Sequence, residues 1–344
     1  GGAGLKRAAA ILILAVMLGA CSSEEESAPD LAAPPTRTPV PPTETVETVP
    51  AQADVEIVSL RDDIDAFLTE AETISPLDRP VLFDDAVVNA NRACFSGSMF
   101  PGVDPLELLD FNLVSLDLTL WREPTASFPE ADLIEMATQT LNRATELMPP
   151  DGVFRLCLVP VPYFGPPDSI PPNFGVRPVV VGANTLLVWC AAGPACLTRV
   201  QEEVAYGYSY AYQVEQTGLT ATETPVLTFA LYAGRATDFA RQLFPNAPFA
   251  WDNALTPEQE ESTWEVMQEY LAVTYLDYPL GRNVDKVLYG GGPTTADRYP
   301  AWGGVYIGTR IVEAYRARHP DVSVIELAAL DPETLLAESG YTPG

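Results

Sequence analysis

The stretch "QEEVAYGYSYAYQ", Gln201 to Gln213, decides how the second half of the chain folds. As a helix over 197–216 it places Leu197, Val200, Val204, Tyr208 and Ala211 on one stripe at spacings of three and four, the pattern of a face turned to a core. Glu202, Tyr206 and Tyr210 then follow at i, i+4 and i+8 on another face. "YGYSYAY" also alternates large and small residues with the period of two expected of a strand. The charged start and the length of the apolar stripe favour the helix.

Working outward, the same periodicity predicts helices over roughly 225–243, 257–276 and 303–318, with a short one after Pro332. Upstream, "VEIVSLRDDIDAFLTEAETI" carries Val58, Ile64, Phe67 and Leu68 at helical spacing, and "EADLIEMATQTLNRATELM" carries Ile134, Ala137, Leu141 and Ala144 likewise. Between them and the C-terminal half stand two β segments, "VFRLCLVPV" (Val153–Val161) and "NTLLVWC" (Asn184–Cys190), separated by a Pro/Gly-rich loop. Helices, a few strands and then a helical half predict one α+β domain over 54–344, with a small sheet.

The bulk composition removes several function classes. The chain has 344 residues, 47 acidic against 19 basic, for a formal charge of −28. Nucleic acid and anionic lipid surfaces both need a basic face, so neither is an expected partner. One histidine, His319, stands in the whole chain, which excludes any multi-histidine metal site. It falls beside Pro320 at the end of its helix, where a capping role is expected. Gly290-Gly291-Gly292 lacks the lysine and the strand–helix context of a phosphate loop and is expected to be a simple loop.

At the other end, Lys6 and Arg7 precede the apolar run "AAAILILAVMLGA", which ends at Cys21. Thirteen residues fall short of the roughly 20 needed to span a bilayer, so the run has the character of a secretory h-region. "LGAC" (Leu18–Cys21) resembles the bacterial lipobox, which implies cleavage before Cys21 and lipidation of its thiol. Residues 22–53, rich in Pro, Thr, Ser and Glu and without apolar periodicity, are expected to form a disordered tether. The expected location is the outer face of a bacterial cell membrane, or an outer membrane where one exists, held through the lipid. Four cysteines remain, Cys94, Cys157, Cys190 and Cys196, an even number that suggests two disulfides in an exported chain. "CAAGPAC" would close on itself and leave Cys94 with Cys157; two other connectivities are open.

The spacing Glu202-Glu203-Val204-Ala205-Tyr206 matches that of H-E-x-x-H, in which two histidines one helical turn apart hold zinc and the glutamate activates a bound water. Downstream come "LYAGRATDFARQLFP" (Leu231–Pro245), "PFAW" (Pro248–Trp251), "WGGVYIGTRIVEAYRARHP" (Trp302–Pro320) and "ELAALDPETLLAESGY" (Glu326–Tyr341). In this order, over roughly 130–341, the chain resembles a bacterial family of predicted Zn-dependent proteases with H-E-x-x-H and E-G-x-A helices. The resemblance implies a zincin-like architecture, with a zinc cofactor in intact members.

The departures fall on the metal ligands. The two family histidines fall on Glu202 and Tyr206, the E-G-x-A glutamate falls on Ala233, and Val305 stands where tyrosine is usual; only Glu203, at the general-base position, is retained. The resemblance therefore implies a degenerate member without zinc or another cofactor, a pseudo-peptidase binding a peptide or an envelope protein, with Tyr210, Arg235 and Tyr306 as candidate cleft residues. Tyr206, Tyr208, Tyr210 and Tyr212 are candidates for a glycan- or peptide-stacking surface, packing being the plainer expectation. An active hydrolase using carboxylates and a harder metal would need further acids beside Glu202 and Glu203. A structural envelope protein would need none of these groups.

Overall fold

"VEIVS" is rich in β-branched residues, Val55, Ile57 and Val58, and it forms strand β1, Val55–Ser59. The sequence expectation that ran a helix through Val58 is thus corrected: helix α1 starts only at Arg61 and ends at Ala71, burying Ile64, Phe67 and Leu68. Pairing decides the outcome, because Val55–Ser59 lie in parallel register against Phe154–Leu158 and gain a ladder that no helix there would offer. The computed structural model describes residues 54–99, 112–162, 175–191, 194–291, 295–296 and 298–344. The expected leader, Cys21 and the tether through residue 53 lie outside these residues, as does Gly292.

After α1 come the short helices α2 (Arg79–Phe83), α3 (Arg92–Phe95) and α4 (Thr119–Ala126), then α5 (Glu130–Leu147). Strands β2 (Phe154–Val161), β3 (Val176–Gly182) and β4 (Thr185–Ala191) complete a sheet in the order β1-β2-β4-β3, with β3 its antiparallel edge. The C-terminal half holds α6 (Pro194–Thr217), α7 (Val226–Leu243), α8 (Pro257–Gln268), α9 (Val284–Tyr289), α10 (Gly303–Arg318), α11 (Val324–Ala329) and α12 (Pro332–Ser339). The fold is α+β with a small sheet and a mostly helical C-terminal half, as the sequence pattern predicts.

The sheet is buried on both faces, which explains why β2 and β4 read as nearly continuous apolar runs. Leu156, Leu158, Leu186 and Val188 point to one side and join the stripe of α6, Val200, Val204, Tyr208 and Ala211, in a core shared with α5. Cys157, Val159, Leu187 and Trp189 point to the other side, into a core with α1 and Trp121. A third core lies among α7, α9 and α10. Helix α6 therefore settles the period question in favour of 3.6. Gly207 permits its close approach to the sheet, since a Cβ there would press on Leu186 and Pro178.

Helix α8 ends at Gln268 rather than near 276. The carbonyls of Leu271 and Val273 accept hydrogen bonds from the Leu227 and Val226 amides, so this segment leaves the helix to cap the start of α7. Both cysteine pairs form as the local spacing suggested, Cys190–Cys196 and Cys94–Cys157, and the second fastens α3 to β2. His319 is the C-cap residue of α10; its amide bonds the Tyr315 carbonyl at 2.9 Å and its ring stacks on Tyr315.

Candidate functional site

Helix α6 carries Arg199 one turn ahead of Glu202 and Glu203, so all three project from adjacent turns. The Arg199 guanidinium lies 3.3 Å from the Glu203 carboxylate and 3.7 Å from that of Glu202. It also donates to the Pro248 carbonyl and stands over the Phe249 ring. Arg199 and Glu203 are 6% and 3% exposed. Burial pushes the Glu203 carboxyl up to about 8, outweighing the downward pull of Arg199; the neighbouring Glu202 adds to the rise. Desolvation wins here because a carboxylate so deeply buried in α6 has little water left to solvate its charge.

The expected ligand positions do not fit zinc. Tyr206 packs its ring against Tyr210, Phe249 and Trp251, and burial raises its phenol well above the ordinary value, which keeps the hydroxyl protonated. Ala233 lies 3% exposed in the core beside the α6 stripe and offers no donor atom. The remaining donors, Glu202 and Glu203, share a guanidinium, a fixed positive charge where zinc would need to bind. Among the described residues no group of three or more His, Cys, Asp or Glu is arranged to hold a metal ion. Nor do further carboxylates of the described residues converge there, as a harder metal would require.

The other candidates separate. Arg235 is buried and donates to the carbonyls of Ala328 and Leu330 at 3.3 and 2.6 Å, pinning the end of α11 to α7. Tyr306 donates to the buried Glu260, which also accepts from Tyr341 at 2.8 Å and pairs with Arg310. These two residues therefore fasten helices, and the expected grouping of Tyr210, Arg235 and Tyr306 as one cleft is corrected. Tyr208 is wholly buried and donates to the Met148 carbonyl, so it too leaves the candidate stacking surface. Val305 is buried in the core beside α6.

Sequence reasoning missed the aromatic cluster that packs beside Tyr206 and Arg199. Phe249 and Trp251 stack at 5.0 Å, Trp251 meets Trp302 at 5.7 Å, and Trp302 meets Tyr289 edge-on at 5.8 Å. Trp302 has φ 61, a left-handed conformation that costs a non-glycine residue on the order of 1–3 kcal/mol. Its amide donates to the Tyr289 carbonyl, which ties the start of α10 to the end of α9. No sequence signal announces that placement. Arg199 was missed as well, although its spacing of three and four before the glutamates is a signal that could have found it.

No helix among the described residues is long and apolar enough to cross a membrane. No curated protein and no solved structure matches the chain. No solved structure supports the expected zincin-like architecture. A family model does match, over residues 200–343, from α6 to the C-terminal tail, and it is not that of the predicted Zn-dependent proteases. Over that stretch, under half of its length, the chain is similar to the family described as Gliding motility protein GldB.

Proposed function

We propose that the chain is a membrane-tethered extracytoplasmic lipoprotein whose domain binds an envelope component without hydrolysing it. One observation carries this reading: Arg199 pairs with both Glu202 and Glu203 where a peptidase would hold its metal. A water at Glu203 would have no Lewis acid to polarise it, and a protein guanidinium already claims the carboxylate. The similarity of residues 200–343 to Gliding motility protein GldB supports a role beside envelope lipoproteins of that kind. Cys21 is the proposed site of lipidation, and two acyl chains there would anchor the chain stably where one would not.

The test is hydrolysis of casein and of a mixed fluorogenic peptide set by the full chain, with zinc added and with chelator. The expected result is no turnover above a Glu203→Gln control. Chelator-sensitive turnover that disappears in that variant would overturn the reading.

A further inference from the structure

We propose that the open cavity between the end of α10 and α11 binds a guanidinium group, the side chain of an arginine on a partner protein. The cavity is about 510 Å³ in volume, and Tyr315, Arg318, His319, Asp321 and Glu326 are among its lining residues. No residue of α6 lines it, so the inference goes beyond the reading of Glu203 and stands or falls apart from it. Pro320 shapes it. With no N–H to give the Arg316 carbonyl, it stops α10, and the chain turns into the Ser323 cap of α11.

The arginines at this helix end are engaged elsewhere. Arg316 pairs with Asp238 at 2.8 Å and donates to the Val322 carbonyl. Arg318 lines the cavity, but its guanidinium lies against Gly340 and donates to the Glu338 carbonyl at 3.5 Å. Asp321 and Glu326 are left with no ion-pair partner among the described residues. One Glu326 oxygen accepts from the Ser323 amide at 2.8 Å, which holds its carboxyl below the ordinary value and leaves the other oxygen free. The carbonyl end of α10 adds partial negative charge to the same place. A cation is what these groups lack.

Tyr315 points to a ligand independently. Its side chain is only 5% exposed, yet its hydroxyl bonds no described residue and is not sealed off, so the phenol opens into the cavity. Burial, and then the Glu338 and Glu326 carboxylates, push that phenol up, so it stays neutral. His319 stacks on Tyr315 with ring centres 4.3 Å apart and is half-buried, which leaves its other face to the cavity.

These groups fit a large cation better than a metal ion. Among the described residues no three His, Cys, Asp or Glu converge on one point, as a metal would need. A guanidinium brings five N–H donors in one plane, so it can reach dispersed carboxylates while lying on the open face of His319. An ammonium is a strongly hydrated point charge and makes poorer use of that ring. The overall charge of −28 draws basic partners towards the chain.

The chain has one histidine, so its ring C–H signals in an NMR spectrum report a lining residue unambiguously. The full chain is titrated at constant pH with N-acetyl-arginine amide and with its citrulline and lysine counterparts. The arginine compound is expected to shift the His319 signals saturably, with Kd of about 10 mM or tighter, weakening as salt rises. Citrulline, of the same shape without the charge, should give no saturable shift, and lysine should bind at least about 3-fold more weakly. Asp321→Asn and Glu326→Gln should each weaken the arginine compound roughly 2- to 5-fold, as loss of one exposed charge pair does. Glutamine preserves the capping box with Ser323, so α11 is retained in that variant. No saturable shift with arginine, an equal response to citrulline, lysine as tight or tighter, or an affinity unmoved in both variants would overturn the proposal. Hydrolysis by the same preparation tests the other reading: turnover refutes the non-catalytic role alone, and a failed titration refutes the arginine site alone.

Discussion

Glu203→Gln should abolish a steep dependence of stability on pH. Burial holds the Glu203 carboxyl at about 8 in the folded chain, against an ordinary value of 4.5. Between those values the unfolded chain has lost the proton and the folded chain still holds it. The folded state then binds more protons, so stability falls as pH rises. Below 4.5 the acid is neutral in both states and the effect is absent; above about 8 it is ionised in both and the loss is complete. Integrated from pH 5 to pH 8, the loss is about 3–4 kcal/mol, a large share of the roughly 5–15 kcal/mol that a domain commonly has. Glutamine keeps the shape and an oxygen to accept from Arg199, but it does not ionise. Urea unfolding followed by tryptophan fluorescence at pH 5, 6.5 and 8 would give both proteins' free energies, and the other titrating groups cancel in the difference. The variant should gain on the wild type by about that amount across the range. Equal pH slopes in the two proteins would refute the assignment of the buried carboxyl.

Gly308→Ala should destabilise by about 1–3 kcal/mol in the same assay, because a Cβ there would overlap the Ala230 carbonyl and force α10 off α7. Breaking Cys94–Cys157 with serine at both positions frees a loop with a sequence separation of 63, and should lower the unfolding free energy by about 4 kcal/mol. The same change at Cys190 and Cys196, separated by only 6, should cost about 2 kcal/mol, so the two effects are ordered by loop length. Tyr341→Phe removes the 2.8 Å bond to the Glu260 carboxylate and should cost about 1.5–3 kcal/mol, with faster hydrogen exchange in α12 as its local sign.

The parts of the fold that were legible are those where periodicity and burial agree. Val200, Val204, Tyr208 and Ala211 mark the inner face of α6 by spacing alone, and all four are buried. The apolar runs of β2 and β4 are strands with both faces covered. What failed was set by partners distant in sequence. Val58 fits a helical spacing with Ile64, Phe67 and Leu68, yet β1 pairs with β2 about a hundred residues away. The segment after Gln268 has helical periodicity but is drawn off to cap α7. Strand β3 lies in a stretch whose Pro178 and flanking glycines suggest a loop; as an edge strand it tolerates the proline.

The candidate site divides the same way. Glu202, Glu203 and Tyr206 were singled out through one helix, while Arg199, three and four residues ahead of the glutamates, was overlooked. The closing groups, Phe249, Trp251, Tyr289 and Trp302, come from separate loops and helix ends, and only the packing of α7, α9 and α10 brings them to α6. Arg235 and Tyr306 carried a resemblance in sequence but serve helix packing in space, because each finds a buried acceptor on a neighbouring helix.

Zinc titration of the purified, metal-free chain by calorimetry tests the central claim most directly. With Arg199 lodged against Glu202 and Glu203, the account predicts no saturable binding at micromolar zinc. One equivalent bound with sub-micromolar affinity, and lost in Glu203→Gln or Glu202→Gln, would show that these carboxylates serve a metal and would contradict it.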